Sequence, residues 1–570
     1  MKLAAIFKDG MVLQRDDKVN IFGENDSEDV LKIEIDNISV MADIPEGSWK
    51  LQLPAHPAGG PFELKITSKN DNETVVIHDV YYGEVWLNNG QSNIEFPLRD
   101  ARGGSREIER ADFPEIRYYS VPVVGVLGEE LQQAEEKSCW NKVTDKSFGN
   151  MSAIGYYYAV MLYEKLGVPI GIIDCYKGGT SIFCWLSKER LESLPEGRIY
   201  LDEYNSIISN QTEEEYEAIL KDFNDRNEKH DQIVAELKAA DPNVSLQEIY
   251  EKAGRYSWPP PLGTTSEFRP AGLYYTMLKR VAPYTIKGVV YYQGEEDAVR
   301  DYKVTQQLIK ERRLQLAFGN DISEKDSEKE NSKYGGKHHP DWIDEPTMNT
   351  MYRNLLKELV FQWRSDFCDE NLPVVLVQLT MFIEYGQEDL RDWAYIREAQ
   401  QELVYHGGIN NLYLVPMLDL GEYDNVHPTD KMTPGNRVGD IMLGDIYEVQ
   451  EKKKYPCVTD ILVQKHQVSI YVDDMYDGLC LGGNELINLR GESEEADHVF
   501  GFEIMLEDGT WVQPQKVKLY PERIDIEDER IIFGISYGFF NYGKVNVYNS
   551  IGLPLEQIRG LIPPKFVLHE

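Results

Sequence analysis

Glu84-Val85-Trp86-Leu87-Asn88-Asn89-Gly90-Gln91-Ser92-Asn93, residues 84–93, runs from a short apolar strand into a polar corner. Four further runs share the character of its first half: Ile170 to Asp174, Lys287 to Tyr292, Pro373 to Leu379 and Asn411 to Met417. Runs apolar on both faces suit a parallel sheet covered by helices. Helical segments separate them, and Ser152 to Leu166, between the first two, has helix length. Strand alternating with helix predicts an α/β fold, a doubly wound parallel sheet of five strands with helices on both faces.

The chain has 570 residues, too many for one ordinary domain. Residues 1–80 read as β, in short runs such as Lys18 to Phe22, Leu31 to Ile35 and Ser48 to Leu53 between Gly, Pro, Asn and Asp clusters. That spacing predicts an N-terminal β-sandwich-like domain. The α/β sheet occupies 81–450, and 451–570 return to β, predicting a C-terminal β-rich, sandwich-like domain. Two insertions interrupt the middle. Residues 212–253, rich in Glu, Lys, Ala and Asp, read as two charged helices broken at Asp241-Pro242-Asn243 and packed outside. Residues 319–345 are polar and contain glycine, and read as a loop, either disordered or an ordered lid.

Ligands of open α/β sheets bind beyond the carboxyl ends of the strands. The segments there are Gln91-Ser92-Asn93, Gly178-Gly179-Thr180, Gln293-Gly294-Glu295 and, past the fifth strand, Asp424-Asn425-Val426-His427-Pro428. Serine is a weak nucleophile unless a base takes its proton, and the base needs an orienter. Asp424 and His427 lie three residues apart, so one turn of chain is enough to bring carboxylate to imidazole. Attack on an ester also needs donors for the oxyanion. The Ser92 N–H, the Gly179 N–H and the Gln293 amide are the candidates. Bland alternatives accompany each: a capped helix start at Gln91-Ser92-Asn93, a tight turn at Gly178-Gly179, and a turn histidine before Pro428. Residue 94 is Ile, so the G-x-S-x-G elbow is absent.

The charge balance is 97 acids against 59 bases, a formal net of -38. Such a surface repels polyanions, so neither nucleic acid nor an anionic membrane is expected as a partner. No run approaches the roughly 18 apolar residues of a membrane span. The apolar run Leu3 to Phe7 is shorter than a signal core. Six scattered cysteines without Cys-x-x-Cys suit reduced thiols, so a cytoplasmic location is expected. There is no H-E-x-x-H or phosphate loop, and His338-His339 with Asp341 is the densest metal-type group. No cofactor and no metal are expected. Size alone suggests a homodimer.

KDGMVLQRDDKVNIFG, GEVWLNNGQSNIEF, EKLGVPIGIIDCYKGGTSIFCW, FRPAGLYYTML, IKGVVYYQGEEDA, WAYIREAQ, DNVHP and GKVNVYNSIGLPLEQIR follow one another along the chain. In that order they resemble the sialate O-acetylesterase family, carbohydrate esterases within the SGNH (GDSL-like) hydrolases. The resemblance implies an SGNH-hydrolase-like sheet flanked by β domains, Ser92 as nucleophile, and Asp424 and His427 as a D-x-x-H pair. It places the oxyanion positions on Ser92, Gly179 and Gln293. The implied substrate is a small acetylated sugar or oligosaccharide, either O-acetylated sialic acid or acetylated xylo-oligosaccharides. Gln91, Asn93, Glu295 and Trp185 are candidate substrate contacts, and Phe96, Tyr292 and Trp393 are further candidates for stacking on sugar faces. The chain departs from relatives at Asn88-Asn89 and at Glu296-Asp297, which bears on the pocket rim. A non-catalytic glycan-binding protein and a lipid-active hydrolase are the rival readings.

Overall fold

A computed structural model of the chain describes residues 1–70, 72–144, 146–298, 349–464, 466–482 and 498–561. The loop expected at 319–345 lies outside these residues.

The fold is organised by one strand of 17 residues, Thr74–Gly90. Its first half pairs antiparallel with Gly59–Ser68, in register Thr67 with Thr74 and Phe62 with Val80. Its second half lies parallel between Ile170–Tyr176 and Gly288–Tyr292. The N-terminal β layer and the central sheet are therefore hydrogen-bonded through a single strand, and position 80/81 falls inside it. On one side the sheet continues with Val374–Val377 and then Leu412–Val415, all parallel. On the other, Phe113–Ser120 runs parallel to Ile170–Tyr176, and Trp140–Val143 closes that edge antiparallel. The five expected strands are present and adjacent, in an order that crosses back once at Thr74–Gly90.

Apolar burial explains the order. Val289, Val290, Val374, Val375 and Val377 are fully buried, as a strand covered on both faces requires. Helix Ala153–Leu166 starts where the Ser152 hydroxyl accepts the Gly155 N–H at 3.1 Å and stops at Gly167, φ 62°. The charged stretch 212–253 folds as Glu213–Ala240, opened by a Thr212/Glu215 capping box, and Leu246–Ala253, capped by Ser245. One apolar core joins the N-terminal strands, the central sheet and its helices. A second core lies within the C-terminal strands and takes in Met381 and Leu418 from the loops that follow the fourth and fifth sheet strands. No helix among the described residues is long and apolar enough to cross a membrane.

Candidate active site

Three strands end level with one another, since Gly90 lies opposite both Tyr176 and Tyr292 in the parallel register. Gly90 has φ 135°, and a Cβ there would stand 2.1 Å from the Tyr292 carbonyl oxygen, so only glycine lets the chain turn out of the sheet here. The Gln91 N–H donates to Tyr292 O at 3.1 Å, and Ser92 opens the short helix Ser92–Glu95. From the neighbouring strand end, Gly178 packs on the serine: a Cβ on Gly178 would be 3.2 Å from Ser92 Cβ. The Gly178 N–H donates to Glu95 Oε2 at 2.5 Å, which pins that turn to the serine helix. Ser92, Gly178 and Gly179 remain half-buried. Among the described residues, the backbone N–H groups of Ser92 and Gly179 have no protein acceptor.

A buried polar layer underlies the serine. Asn93 donates to Glu295 Oε1 at 2.6 Å and to the Val426 carbonyl at 3.0 Å, and accepts from Lys431 Nζ at 2.5 Å. The residue after the serine is thus bonded to the residue before the histidine. Lys431 is 1% exposed and rides over the Phe96 ring at 4.7 Å. Burial pushes the Glu295 carboxyl up to about 7 and the Lys431 ammonium down to about 7. Beside them Gln293 Nε2 lies 3.0 Å from Gln91 Oε1, 2.9 Å from Thr180 O and 2.5 Å from Asp297 Oδ2.

His427 reaches the cleft from a loop. Its N–H donates to Asn425 Oδ1 at 3.1 Å, and its ring lies 6.4 Å from that of Phe96, at the far end of the serine helix. Glu422 braces the loop by accepting from Asn425 Nδ2 at 2.6 Å and from the Thr429 N–H and hydroxyl, each at 2.8 Å. Burial, and then the nearby Lys431, push the imidazole down to about 4, so it is neutral at pH 7 and able to accept a proton. No hydrogen bond joins Ser92 and His427, whose nearest link is through Asn93 and the Val426 carbonyl.

Several expected contacts differ. The Asp424 carboxylate does not meet the His427 ring. It accepts from the Tyr250 hydroxyl at 3.0 Å and from the Tyr385 N–H at 2.6 Å, with Asp424 itself at φ 56°. Three-residue spacing gave reach, but the left-handed backbone turns the side chain toward the helical insertion. That insertion is accordingly not confined to the outside, because its second helix supplies Tyr250. Gln293 is fully buried with its amide hydrogens directed at protein acceptors, so it braces Gln91 and is not available to an oxyanion. Gln91, Asn93 and Glu295 are buried in the same layer, beneath the cleft surface. Trp185 is fully buried with its indole N–H on Thr180 Oγ1 at 3.0 Å, and Tyr292 and Trp393 are buried as well. Asn88 and Asn89 also lie below the rim, bonded to Asp174 Oδ1 and Cys175 O. Lys431 and Glu422 were not anticipated. A lysine four residues past a histidine reads as a solvated charge, and only the third dimension shows it enclosed. His338, His339 and Asp341 lie outside the described residues. Among the described residues no group of His, Cys, Asp or Glu is placed to hold a metal ion.

No protein-family model matches the chain. It is 24% identical over 418 residues to the sialate O-acetylesterase of Mus musculus, covering 69% of this chain and 62% of that protein. The chain thus spans under two thirds of that relative. It is 32% identical over 165 residues to the sialate O-acetylesterase of Rattus norvegicus, covering 26% of this chain and 29% of the other. Among solved structures, a carbohydrate acetylesterase from Xanthomonas citri superposes with a TM-score of 0.67 at 21% identity, covering 98% of this chain and 99% of that one. That likeness shows a shared α/β architecture over the full length. Separately, the sequence matches make the chain similar to curated sialate O-acetylesterases over up to 69% of its length.

Proposed function

We propose that this chain is a carbohydrate O-acetylesterase that uses Ser92 as nucleophile and His427 as general base. One observation carries the reading: Ser92 sits at level strand ends against Gly178, while its neighbour Asn93 is bonded to the loop that carries His427. His427 takes the Ser92 proton. The serine oxygen then bonds the acetyl carbon, and the Ser92 and Gly179 N–H groups donate to the oxyanion. The bond from the acetyl carbon to the sugar oxygen breaks, and the sugar leaves with the proton held by His427. Water, deprotonated by the same imidazole, bonds the acetyl carbon, the bond from that carbon to the Ser92 oxygen breaks, and His427 returns the proton to Ser92 as acetate leaves. Asp424 holds the histidine loop through Tyr250 and Tyr385, and Gln293 stiffens the wall behind Gln91. No step requires a cofactor.

The names of the curated relatives favour O-acetylated sialic acid as substrate. The decisive assay is acetate release from O-acetylated sialic acids and from acetylated xylo-oligosaccharides, by the wild type and by Ser92→Ala. Release by the wild type, abolished in the variant, supports the reading. Saccharide binding without release by either protein supports a non-catalytic glycan binder instead.

A further inference from the structure

We propose that Trp258 is a saccharide-stacking platform beside the nucleophile, and that it sets a preference for sugar esters over simple acyl esters. This deepens the function proposed above and rests on it. Trp258 closes the segment that follows the charged insertion, in the run Trp258-Pro259-Pro260-Pro261. Its indole covers the turn that presents Gly179: a Cβ at Gly179, φ 73°, would stand 2.0 Å from the indole Cη2 and 2.6 Å from Cζ2. The preceding residue, Gly178, is the one packed on Ser92. The ring therefore sits next door to the serine and against the residue whose N–H the proposed mechanism assigns to the oxyanion.

The ring is held from two sides. Its N–H donates to Glu296 Oε2 at 2.5 Å, and Phe268 meets it edge-on at 6.2 Å and 87°. Despite this, the residue is 49% exposed. A large aromatic held in one orientation at a cleft rim, with surface left open, has the properties needed to receive the C–H face of a pyranose. Of the aromatics nearest the motifs, Trp185, Tyr292 and Trp393 are at most 5% exposed, and the partly buried Phe96 has its ring covered by Lys431 at 4.7 Å.

The test uses full-length Trp258→Ala and Trp258→Phe proteins on three substrates: p-nitrophenyl acetate, O-acetylated sialic acid and acetylated xylotriose. On the preferred sugar ester, Trp258→Ala should raise KM about tenfold, with Trp258→Phe recovering most of the loss. On p-nitrophenyl acetate, kcat/KM should fall clearly less than on the sugar ester, because the ring packs on the Gly179 turn but no reacting group is removed. Equal losses on all substrates would mean that the ring only shapes the Gly179 turn, and no change on the sugar esters would mean that it contacts no sugar. Either result overturns the platform. A second arm reads binding without turnover, by calorimetric titration of Ser92→Ala with sialic acid and xylotriose. Binding about tenfold weaker in Ser92→Ala/Trp258→Ala supports the platform even if Ser92 is not the nucleophile. Unchanged binding, or no binding of either sugar by Ser92→Ala, overturns it.

Discussion

The serine side of the cleft is made of strand ends, and the histidine side is made of a loop. Ser92, Gly178 and Gln293 follow strands whose parallel ladders leave little freedom: Gly90 is paired on both flanks, and the Gln91 N–H is bonded to Tyr292 O. His427 has no such ladder. Its loop is tied by side chains, through Glu422 to Asn425 and Thr429, through Asp424 to Tyr250, and through the Val426 carbonyl to Asn93. In the proposed mechanism the nucleophilic hydroxyl is thus carried by the sheet, and the base by an element whose position depends on a few polar bonds.

The largest expected effect breaks both sides at the reacting atoms. Ser92→Ala and His427→Ala should each lower kcat for acetyl ester hydrolysis by about 10⁴-fold or more, and the double variant should be little worse than either single one. Steady-state kinetics on p-nitrophenyl acetate checks this, and additive losses would mean that the two residues do not act as a unit. Next comes the bond between the two sides. Lys431→Met leaves Glu295 and the Asn93 carbonyl buried without their cation, and should destabilise the fold by about 3 kcal/mol in urea unfolding. A variant as stable as wild type would show that this layer contributes no cohesion.

Acid reaches the two sides at different pH. His427, held down to about 4, is neutral above that value, so the activity that depends on the imidazole should fall as pH drops through about 4. Glu295, held up to about 7 beneath the serine, takes its proton first, so any limb it causes near 7 should vanish in Glu295→Gln while the limb at about 4 stays. A limb near 6.5 that survives Glu295→Gln would show that the imidazole is more hydrated than its surroundings imply. The smallest effects separate anchoring from orienting. With Asp424 on Tyr250, Asp424→Asn should cost about tenfold or less and Tyr250→Phe a few-fold, whereas loss of a true orienter costs about 10⁴-fold. A drop of that size in Asp424→Asn would place the carboxylate on the imidazole during turnover.

The same contrast explains what could be read without coordinates. The five parallel strands and the helix Ala153–Leu166 were legible because burial on both faces leaves near-continuous apolar runs, and because Ser152 and Gly167 mark the helix ends. Phe113–Ser120 was not anticipated, since Pro114, Glu115 and Arg117 break its pattern. Arg117 is nonetheless buried, because its guanidinium donates to Gly10 O at 2.8 Å and pairs with Asp79 at 3.0 Å, groups distant in the chain. The serine corner was legible as strand followed by Gly-Gln-Ser. The fate of Asp424 was not, because spacing specifies distance along the chain and says nothing of a left-handed φ or of a tyrosine arriving from an insertion 174 residues away.

The claim on which the rest depends is that Ser92 becomes a covalent nucleophile through His427. A fluorophosphonate probe followed by peptide mass spectrometry reads this directly. The account predicts one adduct per chain, on the peptide containing Ser92, lost in Ser92→Ala and strongly slowed in His427→Ala. A full-length protein that hydrolyses acetyl esters yet takes no adduct at Ser92, or takes it on another residue, would contradict it.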